Sequence, residues 1–83
     1  MSYSEIYINR IKYFCKKRKI SVAKLAQMSN ISQTTLANIM TGASKCPRVD
    51  TMHKIANALN MTLAEFLNFE ELNNYSFDDE ENE

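Results

Sequence analysis

The sequence predicts an all-α domain of five short helices followed by an acidic tail. Three observations carry that reading. The 83-residue chain holds one Gly and one Pro, Gly42 and Pro47, both in one loop, so the turn residues that a sheet of tight hairpins needs are missing. Its apolar residues recur three and four apart, the period of an α-helix. A Ser or Thr stands before several of these stretches, where its hydroxyl can accept from the unpaired amides of a first turn.

Ile8, Ile11, Phe14 and Cys15 share one face and predict a first helix from about Ser4 to Lys19, with its basic side in water. Ser21 caps a second, Val22 to about Met28, that buries Leu25 and Ala26. Ser29, Asn30 and Ile31 break the period, and Asn30 enters the left-handed region at low cost. Ser32 caps a third helix, Gln33 to Thr41, with Leu36, Ile39 and Met40 inward and Gly42 at its end. After a polar loop to Arg48, the stripe Val49, Met52, Ile55, Ala56 and Leu59 marks a fourth helix that Asn60 closes. Thr62 and Glu65 spell a capping box for a fifth, with Leu63, Phe66 and Leu67 inward. Phe69, Leu72 and Tyr75, three apart, permit one more helical turn, and Asp78 to Glu83 are expected to be disordered.

At this length there is room for one core, so residues 1–69 are expected to form the domain and residues 70–83 the tail, partly or wholly disordered. With 45% hydrophobic and 24% charged residues the chain should fold. Cys15 and Cys46 are no disulfide framework, and neither has a Cys or His at metal-ligand spacing, so neither a zinc site nor any other metal or cofactor is expected. The absence of a signal-peptide pattern and of an 18-residue apolar run points to a cytoplasmic protein without membrane contact. One His, no phosphate-binding Gly-rich loop and no spaced nucleophile and base argue against an enzyme, and no small-molecule ligand is evident. His53 reads as a surface residue of helix four, and Cys46 as an inert thiol rather than a redox sensor.

The net charge of zero conceals a division. Residues 1–69 carry ten Lys or Arg against three acids, a balance of +7, and residues 70–83 carry seven acids and no base. A basic body suits a polyanionic partner. The tail itself can be read as a solubility device, a competitor with that polyanion for the basic face, or a partner site.

The small Ala26, the break at Asn30, and Leu36 and Ile39 meet the needs of two helices crossing over a three-residue turn. With Ile20-Ser21, Leu25-Ala26, Asn30-Ile31-Ser32, Leu36, Ile39, Gly42, Pro47, Met52, Ile55-Ala56, Leu59 and Thr62-Leu63, the chain resembles the Xre family, the lambdoid phage repressor and Cro type of helix-turn-helix domain, over about residues 9–68 without a gap. Lys19 and Asn30 stand where the family usually has glycine. Val22 replaces the Gln or Thr that commonly touches a phosphate, so that contact is expected to be lost or moved. Cys15 and Met40 occupy the places of a buried Arg–Glu pair, and losing both charges together strands neither.

The resemblance implies a five-helix, lambda-repressor-like fold that binds double-stranded DNA as a transcriptional regulator, with a repressor expected. Ser32, Gln33, Thr34 and Asn38 would read bases in the major groove, where Gln and Asn can pair with adenine and Thr can meet thymine. Ser21, Thr41, Ser44, Lys45 and Arg48 would hold the backbone, while the run Lys16, Lys17, Arg18, Lys19 and Lys24 is either a solvated face or a further attraction to DNA. A homodimer on an approximately palindromic operator is expected, its apolar contacts drawn from Phe66, Phe69, Leu72 and Tyr75. The alternative is an antitoxin-like or regulator-binding protein module on the same fold; the polar outward side of helix three favours DNA.

Overall fold

The computed structural model describes residues 2–78, over which the chain forms α1 (Tyr3–Arg18), α2 (Val22–Ser29), α3 (Gln33–Met40), α4 (Val49–Ala58), α5 (Leu63–Leu67) and α6 (Glu70–Asn73). No strand occurs among the described residues. The five expected helices are present with ends shifted by a residue or so, and α6 is the further turn that the spacing of Phe69, Leu72 and Tyr75 allowed. Apart from Asp78, the segment expected to be disordered lies outside the described residues.

Each of the first three helices begins at a serine. Ser2, Ser21 and Ser32 accept from the backbone N–H of Glu5, Lys24 and Thr35 at 3.3, 3.0 and 3.0 Å, satisfying one of the amides a first turn leaves unpaired. The capping box of α5 is complete: Glu65 N–H donates to Thr62 Oγ1 at 3.0 Å, and Thr62 N–H donates to Glu65 Oε1 at 2.9 Å. That second bond, followed by the one from the Thr62 side chain, holds the Glu65 carboxyl below its ordinary pKa.

Three helices end by one device. Lys19, Asn30 and Asn60 take positive φ values of 57°, 57° and 60°. The N–H of the next residue, Ile20, Ile31 or Met61, then reaches back to the carbonyl of Cys15, Ala26 or Ala56 at 3.0, 3.1 and 2.9 Å. This is the Schellman closure, whose hallmark is an apolar residue just after the turn. Ile20, Ile31 and Met61 all pack against the core.

The core gathers around Ile11, Leu25, Leu36, Ile55, Leu59 and Phe66, which are fully buried. Helix α2 packs on α3 and α4, α4 on α5, and α1 on both α2 and α3. The inward face of α1 is made by Ile6, Tyr7, Ile11, Phe14 and Cys15, with Ile8 only half-buried. Cys15 is buried and Met40 half-buried against the core, so both places hold apolar side chains. Burial pushes the Cys15 thiol pKa up.

Three expectations about burial need correction. Val49 is 70% exposed although it continues the stripe of α4; it opens the helix, and helical side chains tilt toward the N-terminus, so this one projects past the end. Leu63 and Leu67 are half-buried. Phe66 and Phe69, expected at a dimer interface, are 0% and 8% exposed and belong to the domain's own core. Phe66 stacks on Phe14 with ring centroids 5.9 Å apart.

Two arginines of α1 reach across to the ends of other helices. Arg10 donates to the carbonyls of Phe66 (2.9 Å) and Glu65 (3.2 Å) near the end of α5, with its guanidinium carbon 4.6 and 4.7 Å from the ring centres of Phe14 and Phe69. Arg18 donates to Leu59 O at the end of α4. A cation there meets both the carbonyls at a helix end and the negative end of the helix dipole. The chain beyond α5 then runs back along α1. Tyr3 bonds to Tyr7 through the hydroxyls at 2.8 Å, and its ring lies edge-on to Tyr75 at 5.0 Å and beside Phe77 at 5.1 Å.

Candidate nucleic-acid interface

Because Leu36 and Ile39 anchor α3 to the core, the period of the helix turns Gln33, Thr34 and Asn38 to the exposed side. Ser32 is exposed too, but its hydroxyl accepts from Thr35 N–H at 3.0 Å and donates to Thr35 Oγ1 at 2.7 Å. It therefore shapes the start of the helix, with one acceptor lone pair left.

Gln33 lies in a shallow cleft of about 160 Å³ between α2 and α3, shared with Val22, Ala23 and Ala37. Val22 is half-buried there and packs against the core, so it offers no hydrogen bond to a phosphate. On the other side of α3, Asn38 shares a second cleft of about 160 Å³ with Thr35, Ser44, Pro47 and Arg48. The loop after α3 is drawn against the helix by Ser44 N–H, which donates to Asn38 O at 2.9 Å. Thr41 Oγ1 donates to the same carbonyl at 3.4 Å. Lys45 and Arg48 remain exposed on this loop, and Ser21 is exposed at the start of α2.

The structure thus brings Asn38, Ser44 and Arg48 together on one flank of α3, Gln33 onto the other, and leaves Thr34 outward between them. Phe66 and Phe69 have no place on this surface. In the basic run of α1, Arg18 is committed to Leu59 O, and Lys17 Nζ lies 5.6 Å from the Tyr13 ring centre.

Two residues were missed by sequence reasoning. Thr35, which pairs with Ser32, lines the Asn38 cleft; its place three residues after an N-cap was the available signal. Lys54 joins Ser32, Thr35 and Arg48 around a polar notch of about 370 Å³, a juxtaposition made only by the approach of α4 to the helix-turn-helix. Among the described residues there is no group of three or more His, Cys, Asp or Glu able to hold a metal ion, and no helix is long and apolar enough to cross a membrane.

A capped helix with an inward apolar edge and an outward hydrogen-bonding face, flanked by Lys and Arg, can lie in a DNA major groove and be held by phosphates at its sides. The comparisons point the same way. The family model of the Cro/C1-type HTH DNA-binding domain matches residues 10–71, from within α1 to α6. No curated protein and no solved structure matches the chain. The match takes in the three-residue turn, both helices beside it and most of the core, and the chain belongs to the family of Cro/C1-type helix-turn-helix DNA-binding domains.

Proposed function

We propose that this DNA-binding regulator is a cytoplasmic, sequence-specific transcriptional repressor that reads the major groove with α3. The observation that carries the reading is the outward face of α3, where Gln33, Thr34 and Asn38 are exposed and hydrogen-bond capable while Leu36 and Ile39 hold the helix from behind. Gln33 and Asn38 are assigned adenine contacts, and Thr34 a thymine or phosphate contact. Ser21, Thr41, Ser44, Lys45 and Arg48 are assigned to the sugar-phosphate backbone, and Ser32 is assigned an acceptor contact to a base-edge amino group through its remaining lone pair.

A single domain of this size presents about 600–1,000 Å² to DNA, too little for tight specific binding at physiological salt. The working unit is therefore a homodimer on an approximately palindromic operator with half-site centres about 10 base pairs apart or a multiple of that. With Phe66 and Phe69 enclosed, the half-buried Leu72 and Tyr75 are the members of the expected interface still available for it. The apolar Val22 beside Gln33 favours, as a second reading, an antitoxin-like or regulator-binding module with weakened DNA contact. A mobility shift with the DNA upstream of the protein's own gene separates the two. Retention of that duplex against excess unrelated DNA supports the repressor; equal loss of both duplexes to competitor rejects it.

A further inference from the structure

The polar notch between α3 and the start of α4 contains an anion belonging to the protein itself. Ser32 and Thr35 form one wall, and Arg48, Asp50, Thr51 and Lys54 form the other. Arg48 Nε lies 3.2 Å from Asp50 Oδ1 and its Nη2 donates to Oδ2 at 3.3 Å, so the carboxylate takes both prongs of the guanidinium. Asp50 Oδ1 also accepts from Thr51 N–H at 2.9 Å, which fixes the carboxylate against the backbone. Lys54 is exposed four residues after Asp50, on the same helix face. Two cations, three hydroxyls and one carboxylate thus line the edge of the surface assigned to DNA.

A guanidinium fork fits a carboxylate or a phosphate diester equally well, and each carries one negative charge. We infer that the notch is a seat for a DNA backbone phosphate, that Lys54 is a further ligand of that phosphate, and that Asp50 occupies Arg48 in the free protein as the phosphate's stand-in. The inference rests on the DNA reading above and adds a restraint to it. A phosphate entering the notch must take Arg48 from Asp50, and the displaced carboxylate then faces a polyanion. Asp50 is therefore an attenuator that lowers affinity for every DNA sequence alike, leaving base discrimination to α3.

The test is a fluorescence anisotropy titration of a labelled duplex of random sequence over a range of salt, using the full chain. Asp50→Asn keeps a side-chain oxygen for Thr51 N–H and removes the charge; Asp50→Ser is a second neutral variant with an acceptor, and circular dichroism verifies that both stay helical. Each should bind about two- to fivefold tighter than the parent, the fold-change equivalent to one exposed ion pair. The salt dependence should steepen by about one unit of slope as Arg48 neutralises one more phosphate. In an Arg48→Ala background the gain from Asp50→Asn should fall away, since the interaction it relieves is gone, and Lys54→Ala should weaken binding. Parent binding that neither neutral variant tightens, or an equal gain without Arg48, overturns the attenuator. Failure of the parent to bind any duplex at low salt overturns the DNA reading itself, and this inference with it.

Discussion

The guanidinium of Arg18 donates to the carbonyl oxygen of Leu59 across 2.7 Å, joining the last turn of α1 to the end of α4. The bond connects segments 41 residues apart in sequence and places a cation at a helix C-terminus. Arg18→Met should cost about 1 kcal/mol of stability, the net worth of such a hydrogen bond. DNA affinity per folded molecule should be unchanged. A fall in affinity with an unmoved urea midpoint would make Arg18 a phosphate ligand.

Lys19 sits at φ 57°, ψ 45°, where a β-carbon crowds the following carbonyl. Lys19→Gly removes that crowding and adds entropy to the unfolded chain. The crowding is the larger effect, so the variant should gain about 0.5–1 kcal/mol. Asn30→Gly should gain less, because an asparagine tolerates the same φ of 57° more readily. Equal or reversed effects in denaturant titrations would contradict this account of the two turns.

Much of the fold was legible because it is locally encoded. Ser21, Ser32 and the Thr62–Glu65 box act on amides three residues away, and Asn30 turns the chain on its own φ. The family resemblance assigned the candidate DNA-reading residues, and the period of α3 turns Gln33, Thr34 and Asn38 outward once Leu36 and Ile39 are set inward. What stayed hidden depends on contacts distant in sequence. Arg10 and Arg18 look like members of a solvated basic face until the ends of α5 and α4 arrive beside them. Phe69 looks like an unpaired apolar residue beyond the family resemblance until its ring meets Arg10 of α1. Lys54 joins the notch only because α4 packs there, and Val49 is exposed by its place at a helix end rather than by its pattern.

Phe66 is wholly enclosed, stacked on Phe14 and below Arg10. Phe66→Ala should therefore cost about 3–5 kcal/mol, most of what a domain this small holds. A core residue loses the same stability at every protein concentration, whereas an interface residue loses more as the dimer is populated. Thermal unfolding of the variant and the parent over a wide concentration range distinguishes the two. A loss confined to high concentration would return Phe66 to a dimer interface.

The central claim is that α3 reads base sequence, and selection of bound duplexes from a random pool tests it most directly. The parent should enrich an approximate palindrome containing A·T pairs, with half-site centres about 10 base pairs apart or a multiple of that. Gln33→Ala should lose about 1–3 kcal/mol on the selected site and relax the preference at one base pair in each half. Lys45→Ala should weaken all duplexes about equally and lower the salt slope by about one unit. Enrichment of no motif by the parent, or of an unchanged motif with unchanged affinity by Gln33→Ala, would contradict the claim.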